Sequence, residues 1–280
     1  MPEKKRLIAK ETITKMDSYE KKMYEDSKSN PNNMSNWLPK VAGCGISIPQ
    51  TIILPLSFNQ FFWILNEGFR IEGTEGLSNS LIETIKDKFD TSRPIFLKTG
   101  TFSDKFNFSH CKLTDPVKVG EHFIEIAFSS MLLGAGYPTE IVFREFIESK
   151  EEKPTIYNGL PLNCEFRAFY DFDNKEVLDV FNYWDTETMI QSLKGSIHSQ
   201  KEIEEYQNFV SYAPTLEKEF EQHKDEVRDL INEKMTAVNL QGIWSIDLML
   251  VDGTYYLIDM AVGKQSYYYE RIQHLIDSNQ

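Results

Sequence analysis

At 280 residues, with 41% hydrophobic and 13% aromatic residues, the chain is able to bury a full core and is not a disordered polymer. Its formal net charge of −13 repels nucleic acid and anionic membrane at long range, so nonspecific binding to either is not expected. Cys44, Cys111 and Cys164 lack zinc or redox spacing, the N-terminus leads into no long apolar stretch, and the apolar windows at 52–56 and 61–65 are too short to span a bilayer; the expectation is a soluble cytoplasmic protein with reduced thiols and no signal peptide.

In chain order, residues 1–36 are polar, with a Ser/Asn/Pro stretch over 27–33, and read as a short helix or two and a loop. Residues 37–92 read as a small N-terminal α/β lobe, with a strand at 51–55 and an amphipathic helix over 79–88 carrying Leu81, Ile82 and Ile85 on one face. From residue 93 the pattern turns strand-rich, at 94–98, 106–110, 141–147, 164–171 and 176–183. The charged block 187–238 places apolar residues at helical spacing, which predicts two or three helices, and the chain closes with a hairpin and a short helix. No internal repeat is visible, and the mixed order predicts α+β lobes with mainly antiparallel sheets: 93–147 as a central lobe and 148–280 as a C-terminal lobe.

The predicted strands carry charges that buried strands avoid. Alternation puts Lys98 on the face of Phe96, opposite Ile95 and Leu97, where its ammonium reaches an anion or snorkels to solvent. The small, hydroxyl-rich run Thr99–Asp104 leads to Lys105 and is suited to folding over phosphate oxygens, without a Walker ending. Arg144, Glu145, Phe146, Ile147 and Glu148 form a strand leaving the core, with apolar walls for a flat base and a carboxylate for sugar hydroxyls; an edge strand with a local ion pair is the plain alternative. Arg167, on the same predicted strand as Glu165, suits a bidentate phosphate clamp, and a structural Arg–Glu cross-strand pair is the plain alternative.

Asp247 and Asp259 sit on two apolar strands joined across residues 251–254. A two-residue turn pairs 247 with 258 and throws the carboxylates onto opposite faces, whereas a three-residue loop makes them diagonal neighbours on one face. Adjacent carboxylates need a cation between them, and hard oxygen ligands suit magnesium with phosphates and water. The five histidines show no metal-ligand spacing. Three or four cations with two carboxylates suit a magnesium-bound polyphosphate, and ATP is the expected ligand.

Taken in order, Lys98, the loop to Lys105, Arg144-Glu145-Phe146, Glu165-Phe166-Arg167 and Leu257-Ile258-Asp259 resemble the ATP-grasp superfamily. More narrowly they resemble its arginine-and-two-lysines clade and the related cell-division-cycle proteins that chaperone assembly of translation initiation factor 2. The resemblance covers roughly residues 36–270, motif by motif. It implies two α+β lobes gripping ATP behind a small N-terminal α/β lobe, with Lys98, Lys105 and Arg167 on phosphates, residues 144–148 at the base and ribose, and Asp247 with Asp259 on magnesium. It further implies a carboxylate–amine ligase working through an acyl phosphate on a small-molecule or peptide substrate. The alternative is an ATP-binding assembly or regulatory protein with a protein partner and little turnover, and a third reading is a structural protein whose charged strands do not converge. One departure stands out: Ala261 occupies the place where such proteins carry an asparagine metal ligand.

Overall fold

The computed structural model describes residues 18–67, 71–195 and 197–278; the expectation for residues 1–17 lies outside them. Two four-stranded antiparallel sheets face one another, each backed by its own helices. Among the described residues, no helix is long and apolar enough to cross a membrane.

The first part of the chain forms a helix over 18–28 (α1), then α2 (Met34–Val41), β1 (Thr51–Pro55), α3 (Phe58–Glu67) and α4 (Ile71–Lys88). There follow β2 (Ile95–Thr99), the short helix α5 (Phe108–Cys111), β3 (Lys112–Leu113), α6 (Val119–Leu132) and β4 (Glu140–Glu145). The first sheet runs β1-β4-β2-β3, so the segment 37–92, expected as a lobe of its own, supplies an edge strand to it. Leu81 and Ile85 of α4, Phe123 and Ala127 of α6, and Ile95, Leu97, Ile141 and Phe143 of the sheet close one core. The strand expected at 106–110 is instead a 3-10 turn followed by α5. The alternation of Phe106, Phe108 and His110 misleads there: Phe106 is exposed, while Phe108 and Cys111 bury at helical spacing.

The second lobe comprises the small hairpin β5 (Thr155–Ile156) and β6 (Leu160–Pro161), then β7 (Cys164–Asp171), β8 (Glu176–Asn182), α7 (Thr186–Gly195), α8 (Gln200–Met235), β9 (Ile243–Val251), β10 (Thr254–Val262) and α9 (Tyr269–Ser278). Its sheet runs β10-β9-β7-β8. The block 187–238 resolves into two helices, and α8 passes uninterrupted through Pro214 for 36 residues. A capping box starts it: Ser199 Oγ accepts from the Glu202 N–H, and the Glu202 carboxylate takes the His198 N–H at 2.7 Å. Phe220, Val227, Ile231 and Met235, spaced by seven, four and four residues along one helix face, pack under Phe166, Ala168 and Ile246 of the sheet.

The α1–α2 loop ties both lobes together. Asn32 Oδ1 accepts the Val262 N–H at 2.8 Å at the end of β10, and Asn33 Nδ2 donates to Thr139 Oγ1 at 3.3 Å before β4. Buried Glu140 takes the Ser35 N–H in the first turn of α2 at 3.2 Å, where a carboxylate complements the helix dipole. Gly100 leaves room for that carboxylate, since a Cβ there would lie 2.2 Å from Glu140 Oε1 and 2.6 Å from Glu140 Cδ. The glycine thus makes room for a carboxylate at the start of α2. Gly100→Ala is expected to destabilise the fold by about 1–3 kcal/mol, the usual cost of overpacking, read as a shifted urea midpoint; an unchanged midpoint would mean that Glu140 yields freely.

Candidate functional site

Alternation along the strands decides what faces the space between the sheets. On β2, Phe96 and Lys98 face it; on β7, Glu165 and Arg167; on β9, Asp247 and Met249. Their neighbours in sequence, such as Leu97, Phe166, Ile246 and Leu248, bury in the cores behind. The result is a cleft between the two sheets, open at its mouth, with a cavity volume of about 130 Å³.

The two aspartates reach one face by an unexpected route. The β9–β10 turn has two residues, Asp252 and Gly253, both with positive φ (+49° and +78°), and Val251 pairs with Thr254. That register alone would set Asp247 against Ile258. A β-bulge at Ile258 adds one residue to β10, so Asp259 stands directly opposite Asp247. The three-residue loop considered above is therefore corrected, and the carboxylates are direct rather than diagonal neighbours.

Each carboxylate has its own cation. Arg167 grips Asp247 through two bonds, from Nε at 2.8 Å and from Nη2 at 2.6 Å. Lys98, almost wholly buried, crosses from the first sheet to Asp259 Oδ2 at 2.8 Å. Burial works against the charged form of Arg167, but Asp247 outweighs it and holds the guanidinium pKa above its ordinary value. Lys105 Nζ stands 3.7 Å from the ring centroid of Tyr183, and the Arg167 guanidinium lies 4.8 Å from the same ring, so one aromatic side chain gathers two cations. Burial pulls the Lys105 pKa down to about 8 against the pull of Glu165, and pushes Glu165 up to about 7 against the pull of Lys105.

The strand carrying Arg144 divides its expected roles. Phe146 and Ile147 line the cleft, as does Glu145, whose N–H pairs with Gln50. The Arg144 guanidinium is committed to backbone: Nη1 donates to the carbonyl of Ile258, Nη2 to that of Leu257 at 3.1 Å, and Nε to Thr51 Oγ1 at 3.0 Å. It fills the gap the bulge opens in the ladder. Burial lowers its pKa to about 10, with Asp259 acting the other way. Glu148 stays outside the cleft, 3.9 Å from Arg93. Of the loop after Lys98, Ser103 and Lys105 reach the cleft, while Thr99 Oγ1 pairs with the Phe102 backbone.

Several lining residues escaped the sequence reading: Phe108, Leu160, Pro161, Asn163, Tyr183 and Met249. Met249 lay two residues past Asp247, and Asn163 two before Glu165, so strict alternation would have found both. Phe108 was hidden by the wrong strand assignment. Among the described residues, no third histidine, cysteine or carboxylate joins Asp247 and Asp259 as a metal cluster. Ala261 faces Ser245 across the ladder, and its carbonyl accepts from Ser245 Oγ at 3.3 Å.

No family model and no curated protein matches the chain. Among solved structures it is similar to Cdc123 from Schizosaccharomyces pombe, at 12% identity over 86% of this chain and 89% of that one, with a TM-score of 0.50. At that identity the likeness shows a shared fold. Weaker likenesses to ATP-grasp ligases include VanG D-Ala:D-Ser ligase from Enterococcus faecalis (13% identity, 90% of this chain and 62% of that one, TM-score 0.43). Another is the D-alanine–D-alanine ligase from Bacillus anthracis complexed with ATP (12%, 90% and 65%, TM-score 0.39), and the chain spans less than two thirds of either ligase.

Two outcomes follow from the geometry of this cleft. Arg144→Met leaves two buried carbonyls unpaired and is expected to cost about 2–5 kcal/mol of stability in urea denaturation; a loss below about 1 kcal/mol would show that the bulge holds itself. The raised Glu165 pKa means that the folded state binds more protons than the unfolded state between the ordinary carboxylate range and about 7, so its contribution to stability falls as pH rises through that window. Glu165→Gln is therefore expected to gain more stability over wild type at pH 8 than at pH 5, and equal shifts at both would contradict it.

Proposed function

We propose that this ATP-grasp chain binds ATP with magnesium in the cleft and uses it to join a carboxylate to an amine. The observation that carries the proposal is the pairing of two cations with two directly opposed carboxylates at one end of a cleft whose other end is aromatic and aliphatic. The donors fit the ligand. Magnesium takes one or two carboxylates beside phosphate oxygens and water, and Asp247 with Asp259 supply that pair. Lys98, Lys105 and Arg167 suit a triphosphate: two ammonium point charges and one planar fork.

A bound magnesium ion supplies charge neutralisation between phosphate oxygens. The chain's own part is to position and to neutralise. Lys98 and Arg167 exchange their aspartates for phosphate oxygens, and Lys105 leaves the Tyr183 face for the same purpose. An acceptor carboxylate oxygen then attacks the γ-phosphorus while the bond to the β–γ bridging oxygen breaks and ADP departs. An amine attacks the acyl carbon, inorganic phosphate leaves, and the amine sheds a proton. No side-chain nucleophile is required.

A second reading is favoured by Ala261, which brings no side-chain oxygen to the metal end: an ATP-binding assembly or regulatory protein, with a protein partner and little turnover. Calorimetric titration of ATP with and without magnesium, on wild type and Asp247→Ala, tests the common ground. Magnesium-dependent binding that the substitution weakens at least about tenfold is expected; a folded wild-type protein that binds no nucleotide would sink both readings. ADP release on adding candidate amines and carboxylates separates ligase from assembly factor.

A further inference from the structure

The apolar end of the cleft contains one polar group that the fold leaves unsatisfied. Asn163, just before β7, is 4% exposed. Its Oδ1 is buried and, among the described residues, meets no hydrogen-bond donor. The rest of the residue is occupied: Nδ2 donates to Met249 Sδ at 3.6 Å, and the backbone carbonyl accepts from Trp184 Nε1 at 2.8 Å. A buried acceptor without a partner is uncommon and costly, and a ligand that completes it removes the cost.

The surroundings say what kind of ligand that is. Phe108, Phe146, Leu160, Pro161 and Met249 make the walls, so the body of the ligand here is apolar and able to pack against rings. From Arg167 back to Asn163 is four residues of chain, about 13 Å if extended, the reach of a nucleotide from its phosphates to its base. Within apolar walls, a lone acceptor selects a flat ligand with an N–H on its edge.

We propose that Asn163 reads the base: its Oδ1 accepts from the exocyclic amine of a 6-aminopurine, and it discriminates against a 6-oxopurine. The inference rests on the nucleotide-binding reading above and deepens it. A 6-oxo group turns lone pairs toward lone pairs, while the Met249 contact holds the amide nitrogen away from the base. The specificity of the site thus lies in a side chain of the second lobe, four residues before the arginine at the phosphate end.

The test is calorimetric titration of ATP and inosine triphosphate, both with magnesium, on the full chain and on Asn163→Leu. Wild type is expected to prefer ATP by about tenfold to a hundredfold. The substitution is expected to remove that preference by weakening ATP while inosine triphosphate changes less than about threefold. Asn163→Asp, which keeps an acceptor, is expected to retain the preference and covers the case in which the leucine variant does not fold. Equal affinity of wild type for the two nucleotides, or equal weakening of both by Asn163→Leu, would overturn the role of Asn163 while leaving a nucleotide site in place. Absence of binding by either nucleotide would overturn the underlying reading as well.

Discussion

A hairpin closed by the two-residue turn at Asp252 and Gly253 sets a register in which Asp247 faces the cleft and Asp259 faces the core. One extra residue, Ile258, reverses this for the outer half of β10 and brings the second carboxylate beside the first. The bulge frees backbone groups from the ladder, and they lie in a buried region. Arg144 answers that need from the facing sheet, donating to the carbonyls of Leu257 and Ile258. The paired aspartates, the bulge that aligns them and the buried guanidinium that satisfies the bulge form one dependent chain. Removing the last member leaves the first without a reason to hold its place.

Directly opposed carboxylates destabilise a sheet, so the arrangement also depends on Lys98 and Arg167. The charged end of the cleft holds three cations, Lys98, Lys105 and Arg167, and three carboxyls, Asp247, Asp259 and Glu165. Their pairs are partly or wholly removed from water, where an unpaired charge is expensive. A ligand that brings only a metal ion must displace cations that then have no partner. A ligand that brings only phosphates strands the aspartates. The magnesium–phosphate pair proposed above would satisfy both sets at once.

Much of this was legible in the sequence because charges in apolar strands are rare and alternation is strict. Lys98, Arg167, Asp247 and Asp259 announced themselves in that way, and the strands that carry them fall within a residue or two of their expected ends. The bulge did not, since Leu257-Ile258-Asp259 reads as ordinary apolar strand and a register shift is decided by tertiary partners. The partners of Arg144 were hidden for the same reason: they are carbonyls more than a hundred residues away, and a backbone acceptor has no sequence signature. Phe108 followed a two-residue alternation into helix because Asp104, holding Ser129 Oγ and contacting His110, folds the chain back at that point. The packing of Glu140 against Gly100 was not legible either, because nothing local in the sequence reveals it.

The ties between the lobes differ in how easily a ligand can release them. Asn32 holds a backbone N–H of β10, and Arg144 holds two backbone carbonyls beside it, bonds that satisfy buried backbone groups and cost those groups their partners if broken. Lys98 holds a carboxylate, which is the kind of partner a phosphate replaces at little net cost in charge. In the proposed nucleotide complex, rearrangement falls at Lys98, Lys105 and Arg167, whose partners are side chains or rings, while the backbone ties keep the spacing of the two sheets. A site built this way would spend little binding energy on drawing the lobes together.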